Sequence, residues 1–191
     1  MTARSTFARL RDCAGAAAML ALGSPLLAAA ALAIRWADGG PVLFRQERLG
    51  RGRRPFQIIK LRTMTDGRVT GVGKVLRDLG VDELPQLINV LRGDMALVGP
   101  RALTAADVRR VGWDAPSFDL RWDVLPGITG AAQIAAVRRC HARTAWRLDR
   151  RYVIGRSTAM DAAILAASLL VPVVGKQRAR RIARALRRGW S

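Results

Sequence analysis

The chain of 191 residues carries a formal net charge of +19, and only three of its cations are lysines. Such a charge indicates an anionic partner, which could be nucleic acid, anionic lipid or a phosphorylated substrate. Aromatic residues make up 5% of the sequence, too few for the stacking surface of a single-strand binder. The single histidine, His141, excludes a histidine-based metal site, and the sequence suggests no Ser/His/Asp or Cys/His machinery. The two cysteines, Cys13 and Cys140, lack metal-ligand spacing and are predicted to be free thiols. Any chemistry must use carboxylates, arginines and a hard metal ion.

The N-terminal segment contains an uncharged run, residues 13–34, with arginines on both sides. The run is long enough to span a bilayer as a helix. A secretory signal peptide, with Ala28 and Ala30 at its cleavage site, would share this pattern. A spanning helix would instead carry most of its positive charge on one side. Because both flanks are basic, the positive-inside rule favours both ends on the cytoplasmic face.

Ser24 and Pro25 lie near the middle of this run. Proline removes one helical hydrogen bond, and the serine hydroxyl can satisfy the freed carbonyl. A kink there would turn the helix back towards its own side of the membrane. We therefore predict that residues 1–40 form a re-entrant membrane anchor, with a proline-kinked spanning helix as the alternative.

Residues 41–64 are predicted to be rich in strands. Two short apolar runs, 42–44 and 56–61, flank a turn-prone stretch and are typical of a hairpin. Lys60 and Arg62 close the second run, where solvated charge at a strand end is the simplest interpretation. Residues 66–73 are predicted to be a glycine-containing loop, and residues 74–77 lead to the next helix.

Residues 82–101 read DELPQLINVLRGDMALVGPR and open with the acidic pair Asp82 and Glu83. Apolar residues then recur with the spacing of a helix that has one buried face: Leu84, Leu87, Ile88 and Leu91. Asp82 stands where an N-cap would stand, and Pro85 is tolerated in the first turn. An acidic pair at a helix N-terminus, close in sequence to arginines, could hold a divalent metal and a phosphate together. Simple capping of an amphipathic helix is the alternative.

Further along the chain, residues 104–110 are predicted to form a helix capped by Thr104, and residues 114–123 an irregular stretch. The Pro-Gly turn at residues 126–130 can bring backbone close to a ligand. Asp149 and Tyr152 form a D-x-x-Y pattern that Asp161 follows, and a solvated helix face is the alternative interpretation of the two aspartates.

The C-terminal region pairs an apolar stretch, residues 162–174, with a basic run, residues 176–188. The apolar stretch is short for a span and is predicted to be a buried or interfacial helix. The basic run predicts an amphipathic helix at an anionic membrane surface, with Trp190 at headgroup level. Nucleic-acid binding is the competing interpretation, but an apolar anchor on the same chain favours the membrane. No nucleic-acid partner is therefore expected.

The stretch 82–101 closely resembles the bacterial sugar transferase family, the monotopic phosphoglycosyl transferases, whose motif has the form DELPQL-N-L-GDMSLVGPRP. The likeness extends to FRQERLGRGRRPFQIIKLRTM at residues 44–64 and to PGITGAAQI at residues 126–134. The resemblance implies a small single α/β (α+β) domain with an N-terminal re-entrant membrane helix and amphipathic interfacial helices. It places the catalytic domain at residues 41–175 and the basic amphipathic helix at 176–191.

The resemblance also implies a reaction: transfer of a sugar 1-phosphate from a UDP-sugar to polyprenyl (undecaprenyl) phosphate, with release of UMP. Asp82 would be the nucleophile, and Glu83 would position Asp82 or a Mg²⁺ ion held by the two carboxylates. Substrate contacts would come from residues in the matching motifs: Lys60, Arg62, Arg77, Arg101, Thr129 and Gln133. The protein is expected at the cytoplasmic face of the bacterial inner membrane, in contact with anionic lipid, as a monomer or a homodimer.

Two positions depart from the family pattern. Leu79 and Gly80 stand where a Thr-Ser pair is usual, and residues 135–137 replace an Asn-Gly-Arg triplet. Residues 79 and 80 therefore have no hydroxyl to offer a ligand. Sugar or nucleotide contacts are likewise not expected from the side chains of residues 135–137. Two other classes explain part of the sequence: a non-catalytic, membrane-tethered basic module that binds anionic lipid or nucleic acid, and a secreted basic domain. Neither gives the 82–101 motif a purpose.

Overall fold

The computed structural model describes residues 3–135 and 142–168 and shows a small domain of mixed helices and strands, as predicted. The described residues divide into two compact units. The first contains residues 3–47 and 57–93, and the second contains 48–56, 94–135 and 142–168. The predictions for residues 136–141 and for the basic C-terminal segment fall outside the described residues.

The first unit begins with one long helix, α1 (Ala3–Asp38), whose stretch Thr6–Asp38 is long and apolar enough to cross a membrane. Pro25 lies inside this helix and cannot donate to the carbonyl of Ala21, four residues earlier. The hydroxyl of Ser24 donates to that carbonyl at 2.8 Å, so the freed acceptor is satisfied as the sequence suggested. The helix continues through the proline, and its re-entrant course stays a prediction.

Two small hairpins follow. β1 (Leu43–Leu49) and β2 (Pro55–Leu61) pair around a 3-10 turn, which confirms the predicted hairpin. β3 (Met64–Thr65) and β4 (Arg68–Val69) pair antiparallel. The prediction of a plain loop at residues 66–73 was therefore wrong at residues 68–69, which form β4, and at residues 71–73, which are helical. The Asp66-Gly67 turn between β3 and β4 has positive φ at both residues, a conformation that aspartate and glycine tolerate.

The predicted helix of the 82–101 motif begins later than expected. α2 (Gly71–Leu79) ends at Gly80, whose φ of 74° suits glycine, and a 3-10 turn, Val81–Glu83, follows. α3 spans Gln86–Arg92, with Pro85 at its N-cap position. Asp82 is therefore not the N-cap of α3. Pro85 has no N–H for a helical bond back to Val81, so the chain there makes the shorter i to i+3 bonds of a 3-10 turn.

The core of the first unit joins α1 to the segments around the acidic pair. Ala30 and Ile34 of α1 pack with three buried residues from β2, α2 and the 3-10 turn: Leu61, Leu76 and Val81. Ile34 is completely buried. Cleavage after Ala30 would separate these parts of the core, which argues against a signal peptide.

The second unit is built on a parallel strand pair, β5 (Ala96–Val98) and β6 (Gly127–Thr129). The predicted Pro-Gly turn is thus part of a strand. A Cβ added to Gly127 would lie 2.0 Å from the backbone nitrogen of Gly99, so the close backbone approach serves strand packing.

Helices surround this pair: α4 (Ala105–Val111), α5 (Ala131–Ile134), α6 (Ala142–Gly155) and α7 (Thr158–Ser168), with a 3-10 helix at Pro116–Asp123. Thr104 caps α4 in a capping box with Asp107, which confirms the predicted cap. Asp149 of α6 is 3% exposed and pairs with Arg121, so the solvated-face interpretation of Asp149 was wrong.

Candidate active site

The acidic pair lies in the 3-10 turn between α2 and α3. Asp82 is buried, with 9% of its surface exposed, while Glu83 is half-buried. The turn is anchored by Val81, which is packed in the core of the first unit, and by the left-handed Gly80 before it. Two adjacent carboxylates are thus held on a rigid turn, with one of them largely withdrawn from water.

Lys60 of β2 meets this turn. Its Nζ lies 2.6 Å from Glu83 Oε1, and the lysine side chain is 15% exposed. The two residues are 23 positions apart in sequence, so the contact depends on the packing of β2 against the 3-10 turn and α3. A short, partly buried contact of this kind is stronger than a surface ion pair. The structure therefore brings the predicted phosphate-binding lysine to the predicted dyad.

Burial raises the pKa of Asp82 above its ordinary value, and the neighbouring charge of Glu83 raises the pKa further. Lys60 and Arg77 oppose this rise because each favours the ionised carboxylate. Arg77, in the last turn of α2, also donates from Nε to Thr63 Oγ1 at 2.8 Å, which orients its guanidinium. The site therefore combines two carboxylates with two cations that act on them.

Arg62 has a different neighbourhood in the same unit. Its Nη2 donates to the carbonyl of Asp38 at 2.9 Å, at the C-terminal end of α1. A Cβ added to Gly40 would overlap this guanidinium, so the glycine leaves room for it. A cation at the C-terminal end of a helix is favourable, which gives Arg62 a structural contact besides its predicted substrate contact.

The second unit contains the other three residues that the motifs single out. Arg101 forms an isolated bridge with Gly127, and its carbonyl accepts a hydrogen bond from Arg121. The hydroxyls of Thr129 and Ser168 lie 2.5 Å apart. The amide of Gln133 donates to the carbonyl of Ile128 at 3.3 Å. The backbone of Arg101 and the side chains of Thr129 and Gln133 are thus held by contacts inside their own unit.

Among the described residues, no group of three or more His, Cys, Asp and Glu side chains could enclose a metal ion. The Asp82–Glu83 pair by itself offers two carboxylates. Mg²⁺ keeps several waters and binds through one or two carboxylates together with substrate phosphates. A cation would also relieve the repulsion that raises the pKa of Asp82. The pair therefore fits Mg²⁺ that arrives with a phosphorylated ligand.

Sequence reasoning gave no separate role to Asn89, which is completely buried in α3. Its Oδ1 accepts from the backbone N–H of Ile59 at 3.0 Å, and its Nδ2 donates to the carbonyl of Gln57 at 2.8 Å. The available signal was an asparagine between the apolar residues Ile88 and Val90, since a buried amide needs a specific partner.

A carboxylate pair with converging cations, carried by a small domain with one long apolar helix, is suited to a phosphorylated ligand near a membrane. The chain matches a family model described as bacterial sugar transferase over residues 3–175. It therefore belongs to the bacterial sugar transferase family, as the motifs predicted.

Several relatives carry names that describe the reaction. The chain is 47% identical over 144 residues to a UDP-glucose:undecaprenyl-phosphate glucose-1-phosphate transferase of Caulobacter vibrioides, a match covering 68% of this chain and 54% of the relative. It is 42% identical over 137 residues to a UDP-N-acetylgalactosamine-undecaprenyl-phosphate N-acetylgalactosaminephosphotransferase of Aeromonas hydrophila, covering 64% and 32% respectively. It is 32% identical over 183 residues to the exopolysaccharide production protein ExoY of Rhizobium meliloti, covering 81% and 80%.

The chain spans about half the length of the Caulobacter relative and about a third of the Aeromonas one. The activity of those longer proteins is therefore a hypothesis for this chain.

Proposed function

We propose that this protein transfers a sugar 1-phosphate from a UDP-sugar to polyprenyl (undecaprenyl) phosphate, as the first membrane step of glycan or exopolysaccharide assembly. The observation that carries the proposal is the convergence of Lys60 and Arg77 on the Asp82–Glu83 turn. The names of the relatives support the choice of donor and acceptor.

In the first step, an Asp82 carboxylate oxygen attacks the phosphorus next to the sugar. The bond from that phosphorus to the UMP oxygen breaks, UMP leaves with the electron pair, and the phosphosugar stays on Asp82 as an acyl phosphate. A carboxylate with a raised pKa is a better nucleophile than an ordinary one, and Lys60 and Arg77 favour the ionised form of Asp82. Covalent catalysis of this kind gives ping-pong kinetics.

In the second step, a phosphate oxygen of the polyprenyl phosphate attacks the same phosphorus, and the Asp82 carboxylate leaves. A carboxylate is a good leaving group, so the intermediate is both formed and consumed on one residue. The product is a polyprenyl diphosphate sugar, and the enzyme returns to its starting state.

The cations supply the charge that a diphosphate needs. Lys60 and Arg77 are already beside the dyad, and we assign them to the phosphate oxygens of the donor, with arginine suited to two-point contact. Arg62 and Arg101 are assigned to the same ligand, and Thr129 and Gln133 to its sugar or nucleotide part, on the basis of the family motifs. When bound by Asp82 and Glu83, Mg²⁺ would neutralise charge on the diphosphate.

The membrane arrangement in the proposal is re-entrant, with α1 entering one leaflet from the cytoplasmic face. α1 contacts its own unit along much of its length, since Arg9 donates to the carbonyl of Leu91 at 2.9 Å, Gly23 lies close to Leu84, and Ile34 packs in the core. The proposed re-entrant course rests on the basic residues that flank the apolar run on both sides, since such flanks favour the cytoplasmic face. Anionic lipid would be favoured by the net charge of +19.

The test is UMP release by the full chain in nanodiscs, with a panel of UDP-sugars, undecaprenyl phosphate and Mg²⁺. Release that requires Mg²⁺ and is absent in Asp82→Asn supports the proposal. Asp66→Asn is the matched control, because Asp66 is an exposed carboxylate of the same unit and asparagine tolerates its positive φ. Equal release by the wild type and Asp82→Asn would refute it.

A further inference from the structure

We propose that Asn89 is a positioning residue for catalysis: its side-chain amide fixes the place of Lys60 relative to Glu83. This inference rests on the proposed function, in which Lys60 and Glu83 belong to the active site. Nothing in the family motifs alone distinguishes this role from that of an ordinary core residue.

The amide of Asn89 binds β2 as a neighbouring strand would. Residues 57 and 59 of a strand direct their backbone groups to the same edge, and Asn89 contacts the carbonyl of the first and the N–H of the second. Within the described residues, β2 pairs with β1 alone, so Asn89 satisfies backbone groups on an edge that no strand covers. The two contacts together fix α3 along the strand as well as towards it.

The hydrogen bonds of Asn89 join two elements, β2 and α3, and each element is adjacent in sequence to an active-site residue or contains one. Lys60 follows Ile59 directly, and Glu83 lies in the turn that precedes α3. The β2–α3 packing is therefore held at two places, by the amide of Asn89 and by the contact between Lys60 Nζ and Glu83 Oε1 at 2.6 Å. A shift of α3 along β2 would break the Asn89 contacts and separate lysine from carboxylate.

Burying an asparagine completely in a core costs free energy, because its amide loses contact with water. A buried amide must form its hydrogen bonds, whereas leucine would fill the same space without that requirement. The advantage of asparagine is that its two hydrogen bonds are directional, so they allow only one register between α3 and β2. That register is the one that brings Lys60 to Glu83.

The test is a double-mutant cycle on kcat for UMP release. Asn89→Ala is expected to lower kcat on the order of 10²-fold in the wild type, since small misplacements of catalytic groups have effects of that size. In a Lys60→Ala background the same change should cost less than about 3-fold, because the residue that Asn89 positions is already missing. Equal losses in the two backgrounds would overturn the inference.

Val90→Ala is the matched control. Val90 is the next residue of α3 and is completely buried, but its side chain has no group that can form a hydrogen bond with β2. It should lower the melting temperature while leaving kcat per folded molecule within about 3-fold of the wild type, as expected for a change outside a shared network. A loss of kcat as large as that of Asn89→Ala would show that destabilisation alone explains the effect, and would overturn the inference.

A second measurement does not depend on activity. The chain has three lysines, Lys60, Lys74 and Lys176, so the methyl signals of ¹³C-dimethylated lysines can be assigned with Lys60→Arg. The Lys60 signal should move towards that of exposed Lys74 in Asn89→Ala and in Glu83→Gln, but not in Val90→Ala. A Lys60 signal that is unchanged by Asn89→Ala would overturn the inference. If the wild type releases no UMP, the proposed function fails and this signal decides the inference.

Discussion

Asp82 in the first unit and Asp149 in the second are both buried carboxylates whose pKa is raised mainly by burial, but their neighbours differ. Among the residues that the structure describes, Asp149 pairs with Arg121, and Nε of that arginine lies 3.0 Å from Asp149 Oδ2. The rings of Trp113 and Trp122 lie against the same guanidinium, with both centroids 5.2 Å from its Cζ. Each charge of this pair is thus balanced and enclosed.

Asp82 has a like charge beside it. Glu83 raises the pKa of Asp82 and also takes the closest contact of Lys60. The charge of Asp82 is therefore balanced less directly than that of Asp149. A balanced buried pair holds a fold together, whereas an unbalanced carboxylate is available for chemistry and for a cationic or phosphorylated ligand. We therefore infer a structural role for Asp149 and keep Asp82 as the proposed reactive carboxylate.

The largest effect on stability is expected from breaking the enclosed pair. Asp149→Leu or Arg121→Leu should each cost about 3–5 kcal/mol, because each leaves an uncompensated buried charge. The double variant should recover most of this loss. Urea unfolding of the purified chain measures all three, and a double variant as unstable as the sum of the singles would contradict this account.

A smaller effect, on activity instead of stability, is expected at Lys60. Lys60→Ala should lower kcat/KM by about 10²-fold, since it removes one charge-assisted contact with the diphosphate. Lys74→Ala, at an exposed position of α2, is the control and should leave kcat/KM unchanged. Steady-state UMP release measures both variants, and equal losses in the two would remove Lys60 from the site.

The pH dependence of stability should report the raised pKa of Asp82. Because the pKa of Asp82 is raised in the folded state, the folded protein binds more protons than the unfolded chain above the ordinary carboxyl pKa. Stability therefore falls as pH rises through that window. Asp82→Asn should reduce this slope and slightly raise the melting temperature at neutral pH, while abolishing activity. Melting curves recorded at several pH values measure this slope for the wild type, for Asp82→Asn and for the control Asp66→Asn. An unchanged slope in Asp82→Asn would show that the burial of Asp82 has no energetic cost.

The smallest effect is expected in the membrane helix. Ser24→Ala leaves the Ala21 carbonyl, which Pro25 cannot serve, without the hydroxyl that donates to it. The loss of one such bond should cost about 0.5–1.5 kcal/mol. Thr6→Ala, at an exposed position outside the proline region of the same helix, is the control. Thermal unfolding in matched nanodiscs compares the two, and equal melting temperatures would mean that water or lipid replaces the hydroxyl.

Local signals predicted the local parts of the fold. The Thr104 cap of α4 and the β1–β2 hairpin were confirmed because each depends on neighbouring residues. The β3–β4 hairpin was missed because strands of two residues show no periodicity, although the Asp66-Gly67 turn was a usable signal. The start of α3 was misplaced because the missing N–H of Pro85 outweighed the capping preference of Asp82.

The motif match identified Lys60 and the acidic pair as site residues, and the structure brings them together. Which partner each group has could not be predicted, because Lys60–Glu83, Asn89–Gln57 and Arg121–Asp149 are separated by 23 to 32 positions. Contacts over such separations depend on how elements pack, and no pattern of neighbouring residues carries that information.

The central claim is that Asp82 carries the phosphosugar, and intact-mass measurement tests it most directly. The full chain in nanodiscs is incubated with the active UDP-sugar and Mg²⁺ in the absence of polyprenyl phosphate. We predict a mass increase of one sugar phosphate, located on Asp82 by peptide mapping, absent in Asp82→Asn and removed when polyprenyl phosphate is added. Turnover without this adduct, or an adduct that persists in Asp82→Asn, would contradict the account.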